Sequence, residues 1–188
     1  RAAGIYTDFF PDPTAPESVA AAAAGFVAFL SLTNMLGRFV WSSVSDVVGR
    51  KNIYRMYLGV GALLYLYISL FTNTNKVLFL VSAMVILSFY GAGFATVPAY
   101  LRDLFGTYQV GAIHGRLLTA WSVAGVLGPL IVNAIADLGE PGTTSRYVPA
   151  FITMIVLLSI GFVANELIKP VDPKYSEPDP ARGIEKDE

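Results

Sequence analysis

Cysteine is absent from the 188 residues, and histidine occurs once, at His114. The first absence removes disulfides, thiolate metal sites and cysteine nucleophiles together. A single imidazole cannot assemble a zinc or haem site unaided, so no metal is expected. Charge is also scarce: 14% of the residues are Asp, Glu, Lys or Arg, against about 25% in an ordinary soluble domain. The net charge is −1 and the thirteen basic residues are scattered. No basic stripe of the kind that grips nucleic acid is present, which excludes nucleic acid as a partner. An enzyme would need acids, bases or metal ligands converging on one pocket, and the long apolar runs offer hydroxyls, amides and a single arginine instead. No catalytic residue and no cofactor are therefore expected.

Where charge is missing, it is missing in blocks. Residues 18–37, 56–75, 77–101, 117–136 and 147–165 contain none, and these runs hold 20, 20, 25, 20 and 19 residues. Each can cross a bilayer, which takes about 20 predominantly apolar residues. The expected fold is an all-α integral membrane bundle with five spans, at about 18–42, 54–73, 77–101, 112–136 and 147–168. Residues 1–17, with Pro11, Pro13 and Pro16, read as an extracytoplasmic loop, because proline punctuates helices. Residues 169–188, with four prolines among alternating charges, read as a disordered cytoplasmic tail. No positively charged leader precedes a short apolar core, so no signal peptide is expected, and the chain reads as part of a longer protein.

Five spans put the two ends on opposite sides. Nine basic residues, including Arg50, Lys51, Arg55, Arg102 and Arg116, share a side with the tail, against Arg1, Lys76 and Arg146 on the other. Basic residues collect on the cytoplasmic side. The expected location is therefore a plasma or cytoplasmic membrane, with connections 41–55 and 102–116 and the C-terminus inside.

Small residues and prolines stud the spans. Gly91, Gly93, Gly125 and Gly128 let helix backbones approach where no hydrophobic effect drives them together, and Pro98 and Pro129 each remove a backbone hydrogen bond. Two readings stand: these residues shape the bundle, or they serve as hinges of a moving carrier.

Arg38 is the first charge after Glu17. It lies eight residues before Asp46, about 12 Å deeper at 1.5 Å per residue. Ser31, Asn34 and Arg38 fall at i, i+3 and i+7, with Ser42 and Ser45 continuing the row, so one face of the first span is expected to line water or a partner helix. A buried arginine is costly and is normally paired, yet the five charge-free runs hold no acid. Arg38 either snorkels to the interface on its long stem or presents a planar fork matched to a carboxylate.

The loop SSVSDVVGRK (42–51) resembles the signature loop of the major facilitator superfamily, through Asp46, Gly49, Arg50 and Lys51. Ser42 and Val47 depart from that pattern, standing for a glycine and a basic residue. Asp46 with Arg50 then forms the expected latch of a gating loop, although the positive-inside rule alone also accounts for Arg50 and Lys51. GRFVWSSVSDVVGRKN, FYGAGFATVPAYLRDLFG, AIHGRLLTAWSVAGVLGPLIVN and ANELIKPVDP together resemble the last five helices of the oxalate/formate antiporter family, over about residues 18–173.

That resemblance implies a twelve-span carrier working by alternating access, of which this chain supplies spans eight to twelve. Its further partner is then the missing N-terminal half. It implies that Arg38 binds a small carboxylate, with Asn34 and Ser31 beside it, and that a proton or counter-anion is coupled. Oxalate carriers of the family also place a lysine in the penultimate span, where this chain has Trp121. A dianion held by one arginine is only half neutralised, so the departure favours formate, lactate or pyruvate over oxalate. Trp121 offers an indole N–H and an apolar wall; its alternative is a packing role. The rival functions are a carboxylate sensor that does not transport, and a truncated half that only packs with other membrane helices.

Overall fold

A computed structural model describes residues 2–12, 16–71, 75–140, 143–169 and 171–172. They form six helices: α1 (Ala2–Phe9), α2 (Pro16–Val48), α3 (Arg50–Leu70), α4 (Lys76–Phe105), α5 (Val110–Asp137) and α6 (Val148–Leu167), with a 3-10 turn at Thr144–Tyr147 leading into α6. Helices α2 to α6 are long and apolar enough to cross a membrane. Among the described residues there is no strand. The all-helical membrane bundle is therefore observed. The expected disordered tail lies almost wholly outside the described residues.

Two local expectations need correction. The first seventeen residues are not all loop, since Ala2–Phe9 is helical. The prolines that suggested a loop begin only at Pro11, and Tyr6 and Phe9 are held in place by burial at 3% and 4% exposure. The segment 41–55 is not a loop either, because α2 runs on to Val48 and α3 starts at Arg50. No glycine or proline interrupts Ser42–Val48. Ser43 and Ser45 turn their hydroxyls back to the Phe39 and Ser42 carbonyls at 3.0 and 2.6 Å, satisfying their polarity within the helix. The break is one residue, Gly49, at φ 90°, a left-handed conformation that costs glycine nothing.

In hydrocarbon every backbone group must be satisfied within its own helix, and helices then associate through close packing. α2 lies chiefly along α4 and α3 chiefly along α6, while α3 also touches α4. One core cluster joins α1 to the beginnings of α4 and α6, where Phe9 meets Phe79 at 4.8 Å and Phe151 at 6.4 Å between ring centroids. A second cluster, Ile53, Tyr57, Phe89 and Ala92, holds α3 to α4. Tilted and edge-on ring pairs of this kind contribute about 0.5–1.5 kcal/mol each beyond area burial. Helix α5 is the least embedded, with Ala136 at its far end as its buried residue.

Candidate functional site

At the Gly49 break, Arg50 gathers three elements. Its guanidinium pairs with Asp46 of α2 at 2.5 Å, donates to Ser45 Oγ at 2.6 Å and stands 3.5 Å from Asp103 of α4. The Arg50 side chain is 12% exposed, and its Nε makes no hydrogen bond of normal geometry. A largely desolvated guanidinium shared by two carboxylates is strongly held. The Asp46–Arg50 pair is thus formed, and Asp103 is a third member that the signature pattern did not indicate.

Lys51 does different work from Arg50. Its ammonium donates to the Glu166 and Ile168 carbonyls at 2.8 and 2.9 Å, satisfying acceptors at the end of α6 that its own helix leaves open. Arg55 forks onto both Glu166 oxygens, with Nη2 at 2.6 Å from Oε2. Asn165 donates to the Lys51 carbonyl at 3.2 Å and accepts from the Tyr100 hydroxyl at 3.0 Å. The junction therefore binds α3 to α6 through Lys51 and Arg55, and α3 to α2 and α4 through Arg50.

The polar row of α2 divides. Asn34 turns to α4, donating to the Leu87 carbonyl at 3.4 Å, and Ser45 is 1% exposed. Ser31 and Arg38 remain exposed, with Ser31 Oγ donating to the Val27 carbonyl at 3.0 Å. The expectation of a single continuous polar face is thus corrected. The face of α2 that meets α4 is set by Gly37, whose closest neighbour is the Ser88 backbone, and by Trp41, whose indole donates to Ser88 Oγ at 3.1 Å. Arg38 sits beside that seam.

Among the described residues Arg38 forms no ion pair. On α4, Tyr90 packs against Trp121 of α5, with centroids 5.4 Å apart and planes at 39°. Phe94, one turn along α4, meets the same indole edge-on at 4.2 Å and 78°. Tyr90 and Phe94 thus join α4 to α5 through Trp121. Tyr90 and Trp121 are 52% and 41% exposed. The three rings border an apolar cavity of about 550 Å³ between α3, α4, α5 and α6, which Tyr57 and His114 also line. Tyr90, Phe94 and Asp103 were missed from sequence, although FYGAGF, with aromatic residues four apart on one helical face, carried the signal for the first two.

The glycines and prolines differ in surroundings. Gly91 faces the Asn34 backbone, whereas Gly93, Gly125 and Gly128 have no neighbour within 4 Å of an added Cβ. The Gly93 carbonyl accepts from the Tyr54 hydroxyl at 2.6 Å. Pro98 lies inside α4 and Pro129 inside α5. Among the described residues no cluster of three or more His, Asp or Glu is placed to hold a metal.

Comparison with curated proteins and with solved structures returned no match. The sequence profile of the Major Facilitator Superfamily matches residues 7–185, nearly the whole chain. Together with five membrane-length helices, that match places the chain in the Major Facilitator Superfamily, a family of membrane transporters.

Proposed function

We propose that the chain is the C-terminal part of a secondary transporter that moves small carboxylates by alternating access. The observation that carries this reading is Arg38: an exposed guanidinium well inside α2, unpaired with any acid among the described residues. A permanently charged planar fork in such a place is poised for a carboxylate oxygen pair. Ser31 lies on the same helix within two turns, exposed like Arg38, and offers a hydroxyl, while Asn34 turns its amide to α4. The N-terminal half of the complete transporter supplies the facing wall, and a proton or counter-anion balances the charge moved.

The Asp46–Arg50–Asp103 junction serves as the latch that opens and closes, while Lys51 and Arg55 hold α3 and α6 together as one body. The cytoplasmic side carries this junction, by the nine-to-three asymmetry of basic residues. Uptake of labelled small carboxylates by vesicles holding the complete protein tests the reading. Arg38→Lys retains charge but loses the fork, so uptake should fall at least tenfold. Near-normal uptake by Arg38→Lys at equal expression makes Arg38 an interfacial anchor and removes the carboxylate site.

A further inference from the structure

We propose that the cavity between α3, α4, α5 and α6 is a binding site for one acyl chain of a bilayer phospholipid, taken from the leaflet on the side of the Gly49 junction. The inference goes beyond the carboxylate reading and does not rest on it, since the cavity is lined by α3 to α6 and Arg38 belongs to α2. The slot measures about 550 Å³, within the usual range for small-molecule sites. Rings and aliphatic side chains form its walls, among them Tyr57, Leu58, Phe89, Phe94, Leu117 and Met154. The Tyr54 hydroxyl is spent on the Gly93 carbonyl at 2.6 Å, which leaves the ring as the surface that residue offers.

Depth and length identify the occupant. On α3 the lining runs from Tyr54 to Tyr65, on α4 from Ile86 to Val97 and on α5 from His114 to Ala124. Each stretch is about 15–17 Å long at 1.5 Å per residue, half of the roughly 30 Å hydrocarbon core and so the depth of one leaflet. Tyr54 and His114 each stand four residues after the start of their helices on the junction side, about 6 Å in, where the ester end of a lipid gives way to its chain.

Neither water nor the protein fills this space. A buried water needs about two to four polar partners, which rings and aliphatic side chains do not give, and an empty slot would forfeit the contacts of its lining. Gly61, Gly93, Ala120 and Ala124 of the lining are residues of the size that lets helices approach closely. The approach is not made here: a Cβ at Gly93 would meet nothing within 4 Å, and Ala120 and Ala124 are exposed. Among the described residues of α5, the buried one is Ala136, at the end away from the junction. Small side chains thus leave room for a third body between α5 and the pair α3 and α6, and the surrounding bilayer supplies a hydrocarbon chain at that depth.

The complete transporter is reconstituted in phosphatidylcholine vesicles that include a phosphatidylcholine with a photoactivatable group halfway along one chain. Residues labelled on irradiation are mapped by peptide mass spectrometry. Label is expected on Leu58 and Leu117, which line the slot from α3 and α5, and also on Val156, which is exposed on α6 outside the lining. Gly93→Leu and Ala120→Phe fill the slot from α4 and from α5. Each should lower label at Leu58 about tenfold or more, by displacing several methylenes of the bound chain, and leave label at Val156 as in wild type. Gly93→Leu also replaces glycine by a better helix former in open space, so an unfolding temperature at or above that of wild type separates displacement from misfolding. Label absent from Leu58 in wild type, or undiminished there in both filled variants, overturns the proposal, while the sensitivity of uptake to Arg38→Lys decides the carboxylate reading separately.

Discussion

Gly37 of α2 meets the backbone of Ser88 on α4 so closely that a Cβ at Gly37 would fall on the Ser88 carbonyl oxygen and 2.7 Å from its Cα. The contact is reciprocated one turn away, where a Cβ at Gly91 would lie 3.0 Å from the Asn34 carbonyl carbon. Two helices exchange glycines across one seam, and Trp41 closes the seam by its bond to Ser88. This crossing fixes the rotation of α2, and with it the exposed setting of Arg38.

A methyl group at Gly37 has only backbone to push against. Gly37→Ala should therefore destabilise the protein by about 1–3 kcal/mol, the usual cost of overpacking. Gly128→Ala, with open space around it, should leave stability unchanged or raise it slightly, because alanine is the better helix former. Thermal unfolding of both variants in detergent checks the contrast. Equal effects at the two positions would mean that the helices do not touch at Gly37.

The charge-free runs made the five spans legible, because a bilayer imposes a length and a lack of charge that composition records directly. The seam was not legible in the same way. Lipid is as apolar as a helix interface, so no hydrophobic stripe marks the buried side of α2. Periodicity instead followed Ser31, Asn34 and Arg38, and the structure splits that row between the α4 seam and the open side. The motif residues Asp46, Gly49 and Arg50 were legible as a cluster, but not as a single-residue break in an otherwise continuous helix pair. Asp103 was invisible because its pairing with Arg50 spans 53 positions of sequence and depends on how α4 is set against α3.

Tyr147 donates its hydroxyl to Asp8 at 2.6 Å, and Arg146 stands 3.9 Å from the same carboxylate while donating to the Ala136 carbonyl at 3.1 Å. The Asp8 and Arg146 side chains are 21% and 11% exposed. This cluster joins α1, the end of α5 and the start of α6. Tyr147→Phe keeps the ring contacts with Phe9 and Phe151 and removes only the donor. It should cost about 1–3 kcal/mol, as for a hydrogen bond to a charged group. Unfolding in detergent measures the loss, and an unchanged transition would show that water replaces the tyrosine without penalty.

The absence of native cysteine makes sidedness directly measurable. Single cysteines at Thr14, Asn52 and Ser176, labelled from outside intact cells with an impermeant reagent, should react only at Thr14. That result follows from the greater number of basic residues near the Gly49 junction and the tail. Labelling at Asn52 would reverse the orientation and put the Asp46–Arg50–Asp103 latch on the opposite face of the membrane.

On the proposed resemblance to the oxalate/formate family, Trp121 stands where its oxalate carriers hold a lysine; its indole lies against Tyr90 and Phe94. Trp121→Lys introduces a second cation there. A dianion would then be neutralised by two charges, so affinity for oxalate should rise relative to that for lactate or formate. The new ammonium also bears a desolvation cost that favours its neutral form when no substrate is bound, and the two ring contacts of Trp121 are lost. Total transport is therefore expected to fall even as the preference shifts, which makes the ratio of oxalate to monocarboxylate competition the quantity to compare between wild type and variant. A rise of about tenfold in that ratio corresponds to about 1.4 kcal/mol of added discrimination. A ratio equal to that of wild type would show that the charge at this position does not choose between monoanions and dianions.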